Sequence, residues 1–167
     1  MVHKLDESRL FHQAEEKWSR NQLQSAFKLF LAAAKGGYVK AFRIVGQFYD
    51  YGEGVKSSED AAIYWYRRAY RYDHDPCAAT NIGCIWRDRG NINRALFWLR
   101  RAVESGDGDA NLDIAKIYIR HKPNLKKAIS YLKKTIEADW VTEESKEEAR
   151  SLLSQLTRQK KEKILLE

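Results

Sequence analysis

Three stretches of this 167-residue chain repeat one order of small and large side chains. Superposing Ala41, Ala78 and Ala110 brings Val45, Ile82 and Ile114 into register, then Gly46, Gly83 and Ala115, then Tyr49, Trp86 and Tyr118. Ala26, Ala62, Ala95 and Ala128 fall into a second register. Spacings of three and four place each set on one face of a helix. A small residue on such a face, as at Gly46 and Ala62, lets two helices cross with their backbones close. One hairpin of this kind cannot bury its own apolar stripe and needs a neighbour above and below. An ordinary bundle would give amphipathic helices without the register. The repeat lengths are 37 and 32 residues, and the longer unit carries an extra turn, Gly52-Glu53-Gly54-Val55. The pattern predicts an all-α solenoid of helix hairpins.

Taken in order, the chain predicts one domain over residues 1–167, with units at about 6–37, 38–73, 74–106 and 107–138. The first helix spans about 6–20, with Leu10, Phe11, Ala14 and Trp18 as its stripe. The second runs to Lys35, burying Ala26, Leu29, Phe30, Ala33 and Ala34, and Gly36-Gly37 ends it. Pro76 suits the first turn of a helix, where its missing N–H would be unpaired anyway. Thr142 reads as an N-cap, followed by Glu143 and Glu144 in the first turn. The helix at about 142–165 then shows Ala149, Leu152, Leu153 and Leu156 on one side and polar residues elsewhere. Such a helix suits the end of an open stack, which needs one polar face.

Composition narrows the setting. Thirty basic against 23 acidic residues give a net charge of +7, which favours acidic partners without identifying one. No apolar run approaches the ~18 residues of a membrane span. The first residues, Met1-Val2-His3-Lys4-Leu5-Asp6-Glu7, lack the apolar segment of a secretory signal, which predicts a cytoplasmic protein. Cys77 and Cys84, seven apart on one helix, would be ~10.5 Å apart along its axis, too far for a disulfide. Free thiols fit a reducing compartment.

No catalytic constellation emerges. His3, His12, His74 and His121 are scattered, and none pairs with another across a carboxylate as a helical zinc site requires. His74, Cys77 and Cys84 lack a compact closing pair of ligands, so no metal and no cofactor are expected. Gly52-Glu53-Gly54 lacks the Lys-Ser/Thr ending of a phosphate loop and reads as a structural turn.

Residues 41–69, AFRIVGQFYDYGEGVKSSEDAAIYWYRRA, resemble the Sel-1-like repeat family, a relative of the tetratricopeptide repeats. They carry the family's alanine, glycine and tyrosine, then Gly-x-Gly-Val, then Ala and Trp-Tyr. Ser58 stands where the family usually has aspartate, and the third unit lacks the Gly-x-Gly-Val turn. Over about residues 23–138 the resemblance implies a right-handed superhelix whose first helices line a concave groove. It also implies a non-catalytic adaptor or docking surface, often bacterial, and in some short members an immunity protein that neutralises a toxin. Cysteine-rich secreted relatives linked to β-lactam binding or hydrolysis carry one cysteine pair per repeat, bridging adjacent helices. Here both cysteines share one helix, so a β-lactam hydrolase is only an alternative.

Helix phase predicts which residues would face a protein or peptide partner in that groove. In the second unit they are Lys40, Arg43, Gln47, Asp50 and Tyr51; in the third, Thr80, Asn81, Cys84, Arg87 and Asp88. In the fourth they are Asp109, Leu112, Asp113, Lys116, Ile119 and Arg120. Mixed charge would orient the partner and arginine or aromatic anchors would supply energy. By resemblance, Asn81 matches an amide that clamps peptide backbone in tetratricopeptide grooves. A second set, Arg67, Arg68, Arg71, Arg94, Arg100 and Arg101, lies on second helices with Tyr64, Tyr70 and Phe97 interleaved. Glu59, Asp60 and Glu104 lie among them, so a solvated basic exterior is expected, with a nucleic-acid-binding solenoid as the alternative.

Overall fold

A computed structural model describes residues 6–165, with side chains to residue 158. Among these residues the chain forms nine helices and no strand: α1 (Glu7–Ser19), α2 (Leu23–Gly36), α3 (Val39–Tyr51), α4 (Glu59–Asp73), α5 (Pro76–Asp88), α6 (Ile92–Glu104), α7 (Ala110–Arg120), α8 (Leu125–Glu137) and α9 (Glu143–Leu165). The fold is an all-α solenoid of helix hairpins closed by α9. It divides into two compact units, residues 1–78 and 79–167, with the division inside α5.

Local sequence explains the helix starts. Asp6 caps α1 by accepting from the Ser8 amide at 3.0 Å, and Asn91 and Asn124 do the same at α6 and α8. Ser58, the departure from the family's aspartate, caps α4 by accepting from the Ala61 amide at 3.3 Å. Serine caps about as well as aspartate, so the exchange leaves the helix start intact. Thr142 accepts from the Ser145 amide at 3.3 Å, as its place before two glutamates predicts.

In the first unit the core is aromatic. Phe11 and Trp18 of α1 meet Phe30 of α2 edge-on at 5.3 and 5.9 Å between ring centroids. Phe30 in turn meets Phe48 of α3 at 5.8 Å. Edge contacts of this kind add to the area that the rings bury. Phe27, absent from the predicted stripe, is buried, whereas Leu29 is only half-buried. Gly52 and Gly54 both have positive φ, 72° and 65°, and at Gly54 the backbone lies against the start of α2. A Cβ there would stand 2.5 Å from the Leu23 carbonyl carbon, so the second glycine of the turn is set by a backbone approach as well as by φ.

The recurring small residue has one job in both units. A Cβ on Gly46 would stand 2.6 Å from the Tyr66 ring, and one on Gly83 would stand 2.7 Å from Leu99 Cγ. Tyr66 and Leu99 each lie four residues beyond the alanine of the second register, and so does Leu132, which clusters with Ala115. Each first helix therefore receives a large side chain from its own hairpin partner. Gly46 seats Tyr66, one turn beyond the Ala62 that the sequence suggested as the crossing point.

The second unit is built mainly from aliphatic side chains: Ile82, Leu96, Leu99, Ile114, Ile117 and Leu132 are all buried. Its last helix, α9, presents Ala149, Leu152, Leu153 and Leu156 to Leu112, Ala115 and Leu132. Those are the four residues that the sequence places on the inner side of a capping helix.

Candidate partner-binding surface

The predicted partner-facing residues occur on α3 in the first unit and on α5 and α7 in the second. On α3, Lys40 and Tyr51 are exposed, Tyr51 by 66%, while Arg43, Gln47 and Asp50 are half-buried. Lys40 and Arg43 line a depression of about 430 Å³ whose floor includes Phe11 and Tyr38 and whose rim carries Glu15, Asp73 and Asp75. Arg43 Nε donates to Asp75 at 3.0 Å. Asp75 also accepts from the Ala78 amide at 2.9 Å, fixing the first turn of α5. Asp50 accepts from the Tyr66 hydroxyl at 3.1 Å.

The same device recurs one repeat later. Thr80, which is Arg43 in the register, donates its hydroxyl to Asp107, and Asp107 accepts from the Ala110 amide at 3.3 Å. Sequence reasoning missed both aspartates. The available signal was their shared position three residues before Ala78 and Ala110.

On the second unit the charged residues converge. Arg87, Asp88, Asp113, Lys116 and Arg120 line one depression of about 400 Å³ between α5 and α7. Arg87 Nε donates to Asp88 at 2.9 Å, and its Nη1 lies 3.5 Å from Asp113. Lys116 Nζ donates to Glu148 of α9 at 2.8 Å. Positive and negative groups thus alternate across three helices. The hydrogen bond to Asp88 raises the Arg87 pKa above its ordinary value against the opposing effect of burial. Burial pushes the Asp113 carboxyl up, and Arg87 and Lys116 only partly offset this. Asn81 and Cys84, earlier on α5, are half-buried. No disulfide forms, since Cys77 and Cys84 both lie on α5 as thiols.

Two of the predicted residues of the fourth unit, one just before α7 and one on it, serve α9 instead. Leu112, predicted to face a partner, is 4% exposed and packs under α9 with Ala149; it belongs to the core. Asp109 accepts from the Thr142 amide and hydroxyl at 3.2 and 3.1 Å, tying down the start of α9. Helix phase identifies the side of α7 turned away from its own hairpin. It does not show which part of that side the next helix covers. Ile119 is half-buried and Arg120 exposed, beyond the part that α9 covers.

Comparison with known proteins agrees with the repeat. The Sel1 repeat model matches residues 19–38, 43–72, 87–107 and 119–140, together more than half of the chain. No curated protein matches the sequence. Among solved structures, a Sel1 repeat protein from Oxalobacter formigenes aligns over 68% of this chain and 48% of its own, at 30% identity and a TM-score of 0.59. A protective antigen of uropathogenic Escherichia coli with an SLR fold aligns over 78% of this chain and 30% of its own, at 22% identity and a TM-score of 0.65. An immunity protein from Pseudomonas aeruginosa aligns over 92% of this chain and 83% of its own, but at 14% identity and a TM-score of 0.37 it carries no weight here. The chain spans half or less of the length of the first two. Sel1 repeats generally mediate contacts between proteins and are typically scaffolds without enzymatic activity. Four matched repeats, covering more than half of the chain, establish that it belongs to the Sel1 repeat family.

Proposed function

We propose that this protein is a non-catalytic module that captures a protein or peptide partner on its first-helix surfaces. The observation that carries the reading is the set of alternating charges lining the depression at Arg87, Asp88, Asp113 and Lys116. Charges already held in place by neighbours orient an incoming chain at little cost in side-chain entropy. Arginine is also among the residue types that dominate binding energy once desolvated. Asn81, half-buried on α5, supplies an amide for peptide backbone. The general role of Sel1 repeats in protein contacts supports the same conclusion.

Within that reading, the module is either an immunity or inhibitor protein dedicated to one toxin or a regulatory adaptor, and its setting is the cytoplasm. A toxin gene beside its own would favour the first. The direct test compares partner recovery by tagged wild-type protein and by the Asn81→Ala, Arg87→Ala double variant in the native host. At an unchanged melting temperature, the double variant should lose most of the recovered partner. Full recovery would move the binding surface elsewhere.

A further inference from the structure

The second-helix side of the second unit holds a separate concentration of positive charge. The helices α6 and α8, with the turn before α8, expose Arg94, Arg100, Lys122, Lys126, Lys127, Lys133 and Lys134, and Arg101 is half-buried among them. Only Glu104 and Glu137 oppose these eight cations, whereas the chain as a whole has 30 basic and 23 acidic residues. These two helices and the turn before α8 therefore carry a strong local excess of positive charge. The sequence suggested a basic exterior spread over the second helices and offset by carboxylates; α8 and Lys122 make it local.

The face is shaped as well as charged. A depression of about 480 Å³ opens between α6 and the start of α8, with Arg100, Arg101, Lys122 and Lys127 on its walls and Phe97 at its rim. Phe97 is 49% exposed, and the Arg101 guanidinium lies 4.5 Å from its ring centroid. Arg100 Nη2 donates to the Tyr118 hydroxyl at 3.0 Å, and Lys127 Nζ lies 5.3 Å from the Tyr118 centroid. The cations are thus arranged around two aromatic rings.

We propose that this face binds single-stranded nucleic acid, with Arg100, Lys122 and Lys127 taking phosphates and Phe97 with Arg101 stacking a base. Lysines serve phosphate well as point charges. A half-exposed ring beside a guanidinium is the second element of a strand-binding surface. An acidic protein segment would use the cations and leave the ring idle. A duplex keeps its bases stacked internally, whereas a single strand can splay one onto Phe97.

Fluorescence anisotropy with a labelled 12-nucleotide oligo(dT) strand tests this, beside an oligoglutamate peptide of equal charge. The strand should bind near about 50 mM salt, with log K falling against log salt at a slope of about −2 to −3 for three or four phosphate contacts. Phe97→Ala should weaken strand binding about fivefold or more. Lys122→Glu with Lys127→Glu should weaken it at least about tenfold and flatten the salt slope. Reversal of Lys35 and Arg71, in the other unit, should leave it unchanged. The proposal is overturned if the strand does not bind, or if the control reversal costs as much as the face reversal. It is also overturned if oligoglutamate binds as tightly and Phe97→Ala changes nothing; the face would then suit an acidic protein segment.

Discussion

Thr80 donates its hydroxyl to Asp107 while Asp107 accepts from the Ala110 amide, so one carboxylate both starts α7 and ties it to α5. Arg43, Asp75 and Ala78 repeat the arrangement at the start of α5. Replacing Asp107 with alanine removes a helix-start acceptor and leaves the Thr80 hydroxyl without it. The loss should be about 1–2 kcal/mol in urea unfolding. Thr80→Val removes one hydrogen bond and leaves the cap, so it should cost less. Equal losses in the two variants would mean that the cap contributes nothing.

Gly83 should tolerate no larger side chain. Its missing Cβ leaves room for Leu99 Cγ at 2.7 Å and faces the Leu99 backbone nitrogen at 3.3 Å. A flexible side-chain tip could swing aside, but the backbone cannot. Gly83→Leu is expected to cost about 1–3 kcal/mol through overpacking, lowering the melting temperature by several degrees. An unchanged melting temperature would remove Gly83 from the helix crossing.

Leu112 and Glu148 separate two ways of holding the capping helix. Leu112→Ala empties a buried site beneath α9 and should cost about 2–5 kcal/mol. Glu148→Ala breaks the ion pair with Lys116, whose members are 45% and 28% exposed, and should cost about 0–1 kcal/mol. Thermal unfolding of the two variants tests the order. A larger loss from Glu148→Ala would show that charge, not apolar burial, holds α9 down.

Asp113 should leave a mark on pH dependence. Burial raises its pKa against the pull of Arg87 and Lys116, with Asp107 and Glu148 adding to the rise. The folded protein therefore holds this proton to higher pH than the unfolded chain does. Its contribution to stability is fully present below the ordinary carboxylate pKa and is lost as pH climbs through the raised value. Asp113→Asn has no such loss, so its stability relative to wild type should improve as pH rises from below the ordinary carboxylate pKa of about 3.9 through the raised value, and then level off. Urea unfolding at several pH values reads the difference directly, and a flat difference would contradict the shift.

The hairpin order was legible because small residues leave a trace at fixed phase: Ala41, Ala78 and Ala110 locate three helices, and Gly46 and Gly83 locate their seats. What fills a seat was less legible. Tyr66, Leu99 and Leu132 are chemically different occupants of one position, so their equivalence shows only once the helices are packed. The fate of Leu112 and Asp109 depended on α9, which lies some thirty residues further along the chain. Arg94, Arg100, Arg101 and Phe97 were legible as a basic and aromatic set, but Lys122 and Lys127 joined them only once the start of α8 was placed beside α6.

The ties from one first helix to the next cross short distances in sequence: 32 residues from Arg43 to Asp75, 27 from Thr80 to Asp107, and 32 from Lys116 to Glu148. Loop closure on this scale costs much the same each time and never requires the two chain ends to meet. Such a chain can assemble progressively as it leaves the ribosome, each hairpin gaining its next fastening once the following few dozen residues have emerged.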